Sequence, residues 1–188
     1  EVNKIRNASE IKFKGNKELI EIIGQAIDDE YIKELTTISL SPEAISRHKD
    51  MKIVYTPIHG TGVKLVPAAL KAYGFTNIIH VPEQDVVSGD FPTVISPNPE
   101  EPAALAMAVE KAKETDAELV MASDPDADRV GAAVKNNEGE WVLLNGNQTA
   151  LMFVYYLIIR WKELGKINGK EYIVKTIVTT ETIKTIAE

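Results

Sequence analysis

The sequence has no cysteine, which excludes disulfides and thiolate metal sites and sets a cytoplasmic protein as the expectation. Its three histidines, His48, His59 and His80, are too scattered to suggest a zinc site. There is no basic excess either. The formal net charge is -7, so no positive stripe can neutralise the phosphates of a nucleic acid, although isolated basic side chains can hold a small phosphate. Long apolar runs are missing. The longest, Ala150 to Ile159, is about half of the ~20 residues that a membrane span requires. No signal peptide opens the chain, and no internal repeat or low-complexity segment interrupts it.

What remains is an ordinary globular composition, 44% hydrophobic and 26% charged over 188 residues, enough for one sizeable α/β domain with appended pieces. Residues 1–16 are polar and irregular. Leu19, Ile20, Ile23, Ala26, Ile27 and Tyr31 recur at helical spacing and predict an amphipathic helix from Lys17 to Leu35. Ser41-Pro42 predicts a short second helix, with the hydroxyl as cap and proline in the first turn. Next comes a strand–helix–strand unit. Ile53 to Tyr55 reads as a buried strand, Gly60 to Gly62 as a tight turn, Val63 to Tyr73 as a helix closed by Gly74, and Asn77 to Val81 as a strand. That order favours a parallel, right-handed crossover.

A proline- and acid-rich loop leads into an alanine-rich helix from about Ala103 to Glu114, with Glu100 and Glu101 near its positive end. Leu119 to Ala122 and Arg129 to Val134 are expected strands. Trp141 to Leu144 returns as a hairpin after the turn at residues 136–139. Asn145 to Leu164 is expected as a capped, strongly apolar helix buried on most sides. Tyr172 to Thr179 reads as a strand and Glu181 to Glu188 as the start of a helix. The expected fold is a three-layer α/β/α domain with a small mixed, mainly parallel sheet.

The chemistry gathers in Ala122-Ser-Asp-Pro-Asp-Ala-Asp-Arg-Val130. Asp124, Asp126 and Asp128 follow a hydrophobic strand at alternate positions, and in an irregular loop such spacing can turn all three carboxylates toward one point. Unpaired, they would repel one another and raise their own pKa values. A hard divalent cation resolves the conflict, and an all-oxygen ligand set suits Mg²⁺. Arg129 cannot ligate a metal, but its fork can hold a phosphate beside one.

A solvated acidic turn is the plain alternative, which the position at the C-terminal end of a strand disfavours. A calcium EF-hand loop fails, because Arg129 stands where glycine is needed and Lys135 where the closing glutamate belongs. A haloacid-dehalogenase-like phosphatase, with Asp124 as nucleophile, is a further alternative. Its motif would need threonine or valine where Asp128 stands. A non-catalytic metal- or phosphate-binding module is the third.

DPDADRVG resembles the metal-binding loop of the α-D-phosphohexomutases, the phosphoglucomutase and phosphomannomutase superfamily. VYTPIHGTG, FPTVISPNPEEPAAL and LLNGNQTALM resemble further segments of that superfamily's second domain, in the same order, from about Lys52 to Tyr156. The combination is most similar to the branch of phosphoglucomutases and phosphopentomutases.

The resemblance implies intramolecular phosphoryl transfer on a hexose or pentose phosphate through a phosphoserine and a bisphosphate intermediate. It places Mg²⁺ on Asp124, Asp126 and Asp128, and Arg129 at a phosphate. The superfamily's T-x-S-H-N-P phosphoserine motif occurs nowhere in the chain, nor do its G-E-x-S-G and R-x-S-G-T-E-P loops. No catalytic residue is therefore assigned, and the isolated chain is expected to be inactive. Its expected partners are the sugar phosphate and the missing domains of the same polypeptide, with neither nucleic acid nor membrane.

The chain opens on Glu1 rather than Met and stops in an expected helix. This suggests a piece of a longer protein: residues 1–50 leading in, 51–168 as the metal-binding domain and 169–188 opening a third. His59 and Gly60, in a turn whose backbone N–H groups can face an anion, are candidate cleft residues beside the plainer reading of a tight turn. Pro97 to Glu101 is expected as a rigid lead-in to a helix. Trp141 and Trp161 are expected in a core or domain interface, and Lys64 and Lys135 at the surface.

Overall fold

The sheet grows outward from β1 (Lys52–Thr56), whose last four residues are buried. Covered on both faces, this strand suits the β-branched and aromatic run Ile53-Val54-Tyr55. In the computed structural model, which describes residues 2–188, β1 pairs in parallel with β2 (Asn77–His80) and, on its other side, with β3 (Leu119–Ser123). β3 then pairs antiparallel with β4 (Val130–Lys135), and β4 with β5 (Trp141–Leu144). The strand order β2-β1-β3-β4-β5 gives a mixed sheet with a parallel core in an α/β fold, as expected.

Before the sheet come α1 (Gly24–Thr37) and α2 (Pro42–Arg47). α3 (Gly62–Tyr73) connects β1 to β2, and α4 (Pro102–Thr115) connects β2 to β3. Because β2 and β3 lie on opposite sides of β1, right-handed crossovers put the two helices on opposite faces. Packing agrees. A Cβ at Gly62 of α3 would lie 2.4 Å from the Tyr55 hydroxyl, whereas Ala104, Leu105, Ala108 and Ala112 of α4 share a core with Val54, Val120 and Ala122. Tyr55 and Val54 are neighbours in one strand and so face opposite ways. The order reverses between β1 and β3, the switch point at which open α/β sheets place their ligand sites, and here the loop after β1 lies directly against the loop after β3.

Gly74 closes α3 in the left-handed conformation, φ 116°, as its sequence position predicts. α5 (Gly146–Glu163) starts with the expected cap. Asn145 accepts from the Gln148 backbone N–H, and the Gln148 side chain accepts from the Asn145 N–H. The helix expected at the end is α6 (Thr182–Ala187).

Four expectations need correction. α1 does not begin at Lys17, because Gly24 takes φ 59° and a left-handed residue cannot sit inside a right-handed helix. Lys17–Leu19 is a lone 3-10 turn. Ser41 does not cap α2; its hydroxyl instead accepts from Tyr156 Oη at 2.8 Å. α5 is not buried on most sides, since Met152, Phe153 and Tyr155 are each more than half exposed. It packs on α6 and is tied to the segment before α2 by Arg160 Nε and Nη2, which donate to the Leu40 carbonyl at 3.0 and 2.7 Å. Tyr172 to Thr179 forms no strand. A strand needs a neighbour for its backbone hydrogen bonds, and among the described residues neither sheet edge pairs with this segment.

Candidate metal centre

β3 delivers Asp124 to the C-terminal edge of the sheet, and the chain closes on itself at once. Ala127 N–H donates to the Asp124 carbonyl at 3.0 Å, and Asp124 N–H donates to the Arg129 carbonyl at 3.3 Å. Ala127 takes φ 60°, a left-handed turn that reverses the chain between Asp126 and Asp128. The three aspartates each offer a carboxylate oxygen, and these oxygens lie within 4.8 Å of one another. The spacing i, i+2, i+4 therefore brings the carboxylates together as the sequence predicts. Asp124 is buried, while Asp126 and Asp128 are exposed, so the triad has one anchored leg and two open ones.

Arg129 holds the anchored leg. Its backbone N–H donates to Asp124 Oδ1 at 3.0 Å and its Nε to Oδ2 at 2.7 Å. Burial alone would push the Asp124 carboxyl up. The hydrogen bonds and charge of Arg129 outweigh it and hold the group below the usual range. Asp128 is shifted the other way, raised first by the charge of Asp126 and then by that of Asp124. That repulsion is what a cation would remove. The Arg129 side chain is 54% exposed, which leaves its terminal nitrogens room to meet a phosphate while Nε stays on Asp124. The donor set fits a hard divalent ion: three carboxylates, with neither thiolate nor imidazole among them.

The other candidates stand around this loop. His59 follows β1 and is 1% exposed. Its Nδ1 lies 2.8 Å from the Val86 carbonyl, which can only accept, and its Nε2 lies 2.8 Å from Thr93 Oγ1. Nδ1 therefore carries a proton, and the ring faces the loop after β2. Gly60 abuts the aspartate loop: a Cβ there would lie 2.4 Å from Pro125 Cα. Asn98 and Ser96 donate to Glu101 Oε1 at 3.2 and 3.0 Å, which stiffens the lead-in to α4.

Pro99 reaches across to β4, where a Cβ on Gly131 would lie 2.1 Å from its carbonyl oxygen. Thr61 and Gly131 were not expected at the site. Thr61 donates to the Pro125 carbonyl and Gly131 abuts Pro99, partners far away in sequence, so no local pattern marks them. Lys135 donates to Asp116 at 2.8 Å and lies over the Trp141 ring. A groove of about 360 Å³ between α4 and the end of the sheet, lined by Leu105, Val109, Trp141 and Leu143, contains none of the aspartates.

Comparison with known proteins decides the family. Residues 29–139, more than half of the chain, match phosphoglucomutase/phosphomannomutase, alpha/beta/alpha domain II. The chain belongs to this family. It is 32% identical over 192 residues to a phosphoglucomutase of Staphylococcus haemolyticus, an alignment that takes in 100% of the chain and 33% of that protein. It is 40% identical over 141 residues to a "probable phosphoribomutase" of Schizosaccharomyces pombe, covering 74% of the chain and 24% of that protein. The chain thus spans a third or less of these phosphomutases.

A crystal structure of a phosphoglucomutase/phosphomannomutase family protein from Burkholderia thailandensis superposes with TM-score 0.56 at 24% identity, over 71% of the chain and 26% of that structure. This likeness concerns the fold. Among the described residues no helix is long and apolar enough to cross a membrane. The family match does not favour the phosphatase alternative, and the geometry argues against it as well. A nucleophilic Asp124 would have to attack from a buried position with both oxygens engaged by Arg129.

Proposed function

We propose that the chain is the metal-binding second domain of a cytoplasmic phosphohexomutase-type enzyme that moves a phosphoryl group between two hydroxyls of one sugar phosphate. In this reading residues 51–168 form the domain and residues 169–188 open the next. One observation carries it: an aspartate triad at the strand-order reversal, one leg anchored by Arg129 and two open. Asp124, Asp126 and Asp128 hold Mg²⁺. When bound, the ion supplies positive charge beside the phosphoryl group in transit, where the task is chiefly electrostatic. Arg129 keeps Asp124 ionised and turns its terminal nitrogens to a phosphate oxygen, while Asp126 and Asp128 present the open face of the triad.

His59 and Gly60 serve the cleft from its wall. Transfer runs through a phosphoserine and a bisphosphate intermediate supplied outside this chain, so the remaining domains of the same polypeptide are its partners. The substrate is a hexose or pentose phosphate, a range supported by relatives named for glucose and for ribose.

The test is turnover of glucose 1-phosphate, mannose 1-phosphate and ribose 1-phosphate by the full-length polypeptide, with Asp126→Ala beside it. At least one substrate is interconverted, and Asp126→Ala lowers kcat by about a hundredfold or more, the scale of losing one electrostatic stabiliser. Undiminished turnover by Asp126→Ala would overturn the metal assignment. Phosphate release without interconversion would favour hydrolysis.

A further inference from the structure

The turn between β1 and α3 is locked to the aspartate loop through a residue that is neither a ligand nor a phosphate contact. Pro125 sits between the buried Asp124 and the exposed Asp126. Its ring fixes φ, so the direction in which the chain leaves toward Asp126 depends on ψ, which is to say on where the Pro125 carbonyl points. Two donors of Thr61 hold that carbonyl, its backbone N–H at 2.8 Å and its hydroxyl at 3.1 Å. The approach is close enough to require glycine next door: a Cβ at residue 60 would lie 2.4 Å from Pro125 Cα and 2.7 Å from its oxygen.

The turn itself is firmly seated. His59 N–H donates to the Gln84 carbonyl at 2.9 Å, and Ser88 N–H donates to the His59 carbonyl at 3.1 Å. The His59 ring bonds Val86 and Thr93, and Gln84 Oε1 accepts from Thr56 at 2.7 Å. Thr56, His59 and Gln84 are buried, so the turn cannot easily shift to follow the loop.

We infer that Thr61, seated against Gly60, is a positioning residue that sets Asp126 relative to Asp124 and so preorganises the cation site. The inference rests on the metal reading above. With Arg129 holding Asp124 and Thr61 holding Pro125, the first two residues of the loop are fixed before any ion arrives. Only the exposed part from Asp126 to Asp128 has to adjust. Losing the hydroxyl leaves one donor on the carbonyl and widens the range of ψ at Pro125, so ordering the triad takes a larger share of the binding free energy.

The experiment compares wild type, Thr61→Val, Thr61→Ser and Gly60→Ala in the full-length polypeptide. Mg²⁺ binding is followed by calorimetry, Mn²⁺ binding by electron paramagnetic resonance, and folding by thermal melting. Thr61→Val weakens both ions by roughly threefold to tenfold, the worth of one hydrogen bond, while melting shows the protein still folded. Thr61→Ser restores wild-type affinity because it keeps the hydroxyl. Gly60→Ala weakens binding further, and if it does not fold, the valine–serine pair still decides. Equal affinity in wild type and Thr61→Val, or equal losses in the valine and serine variants, would overturn the positioning role while leaving the metal site standing. Absence of binding by the wild type would remove both.

Discussion

Asp124 and Asp128 carry the same side chain in one short loop and are shifted in opposite directions, one held down by Arg129 and the other pushed up by its neighbours. The sequence showed which carboxylates meet, because a fixed spacing after a strand is a local fact. Which of them is buried depends on the β1–β3 pairing and could not be read locally. Tyr55 shows the same limit. It is a strand residue by propensity, yet its hydroxyl lies 2.8 Å from Ser123 Oγ, immediately before the triad.

Burial pushes the Tyr55 phenol up from 10.0 to about 12. The folded state therefore keeps this proton where the unfolded chain releases it. The associated stability is complete below pH 10 and is lost as pH rises toward about 12. The loss approaches roughly 3 kcal/mol. Tyr55→Phe costs about 1 kcal/mol at pH 7 for the missing hydrogen bond and removes this alkaline fall. Urea titrations of both proteins from pH 7 to 11 check it, and parallel stability curves across that range would refute the assignment.

At the scale of elements, α4 shows how small residues position the sheet beneath the site. Ala104, Ala108 and Ala112 recur every fourth position and are all buried against Val54, Val120 and Ala122. One face of the helix thus brings its backbone close to the strands. The alanine-rich composition predicted the helix correctly, but helix propensity does not say that these alanines are needed for their size. Ala108→Leu adds apolar surface and still destabilises by about 1–3 kcal/mol, because the contact has no room for it. Ala103→Leu, on the exposed side of the same helix, stays within about 0.5 kcal/mol. Denaturation midpoints of the two variants separate packing from hydrophobicity, and equal midpoints would mean that α4 does not rest tightly on the sheet.

The misread elements share another cause. Tyr172 to Thr179 has strand composition without an edge to pair with, and α5 has a buried helix's composition with more than half of Phe153 exposed. Composition records what an element is suited to contact; within residues 2–188 those contacts are not made.

For the whole molecule the decisive fact is proportion, since the chain spans 33% and 24% of the two phosphomutases described above. Phosphoryl transfer between two hydroxyls needs a carrier to accept and return the group, and a surface that holds the sugar in two orientations. The family's carrier motif is missing from this sequence, and the triad's neighbours, Thr61, His59 and Pro99, are committed to holding loops in place. Given glucose 1-phosphate, the isolated chain is therefore expected to form no glucose 6-phosphate at any Mg²⁺ concentration, whereas under the proposed function the full-length polypeptide forms it if glucose 1-phosphate is its substrate. A coupled assay of glucose 6-phosphate formation, with both proteins at equal concentration, makes the comparison. Turnover by the isolated chain would mean that a nucleophile within residues 1–188 carries the phosphoryl group. Silence from the chain, with binding of Mn²⁺ retained, would separate holding the ion from moving the phosphate, and would locate the second task in the domains that this one serves.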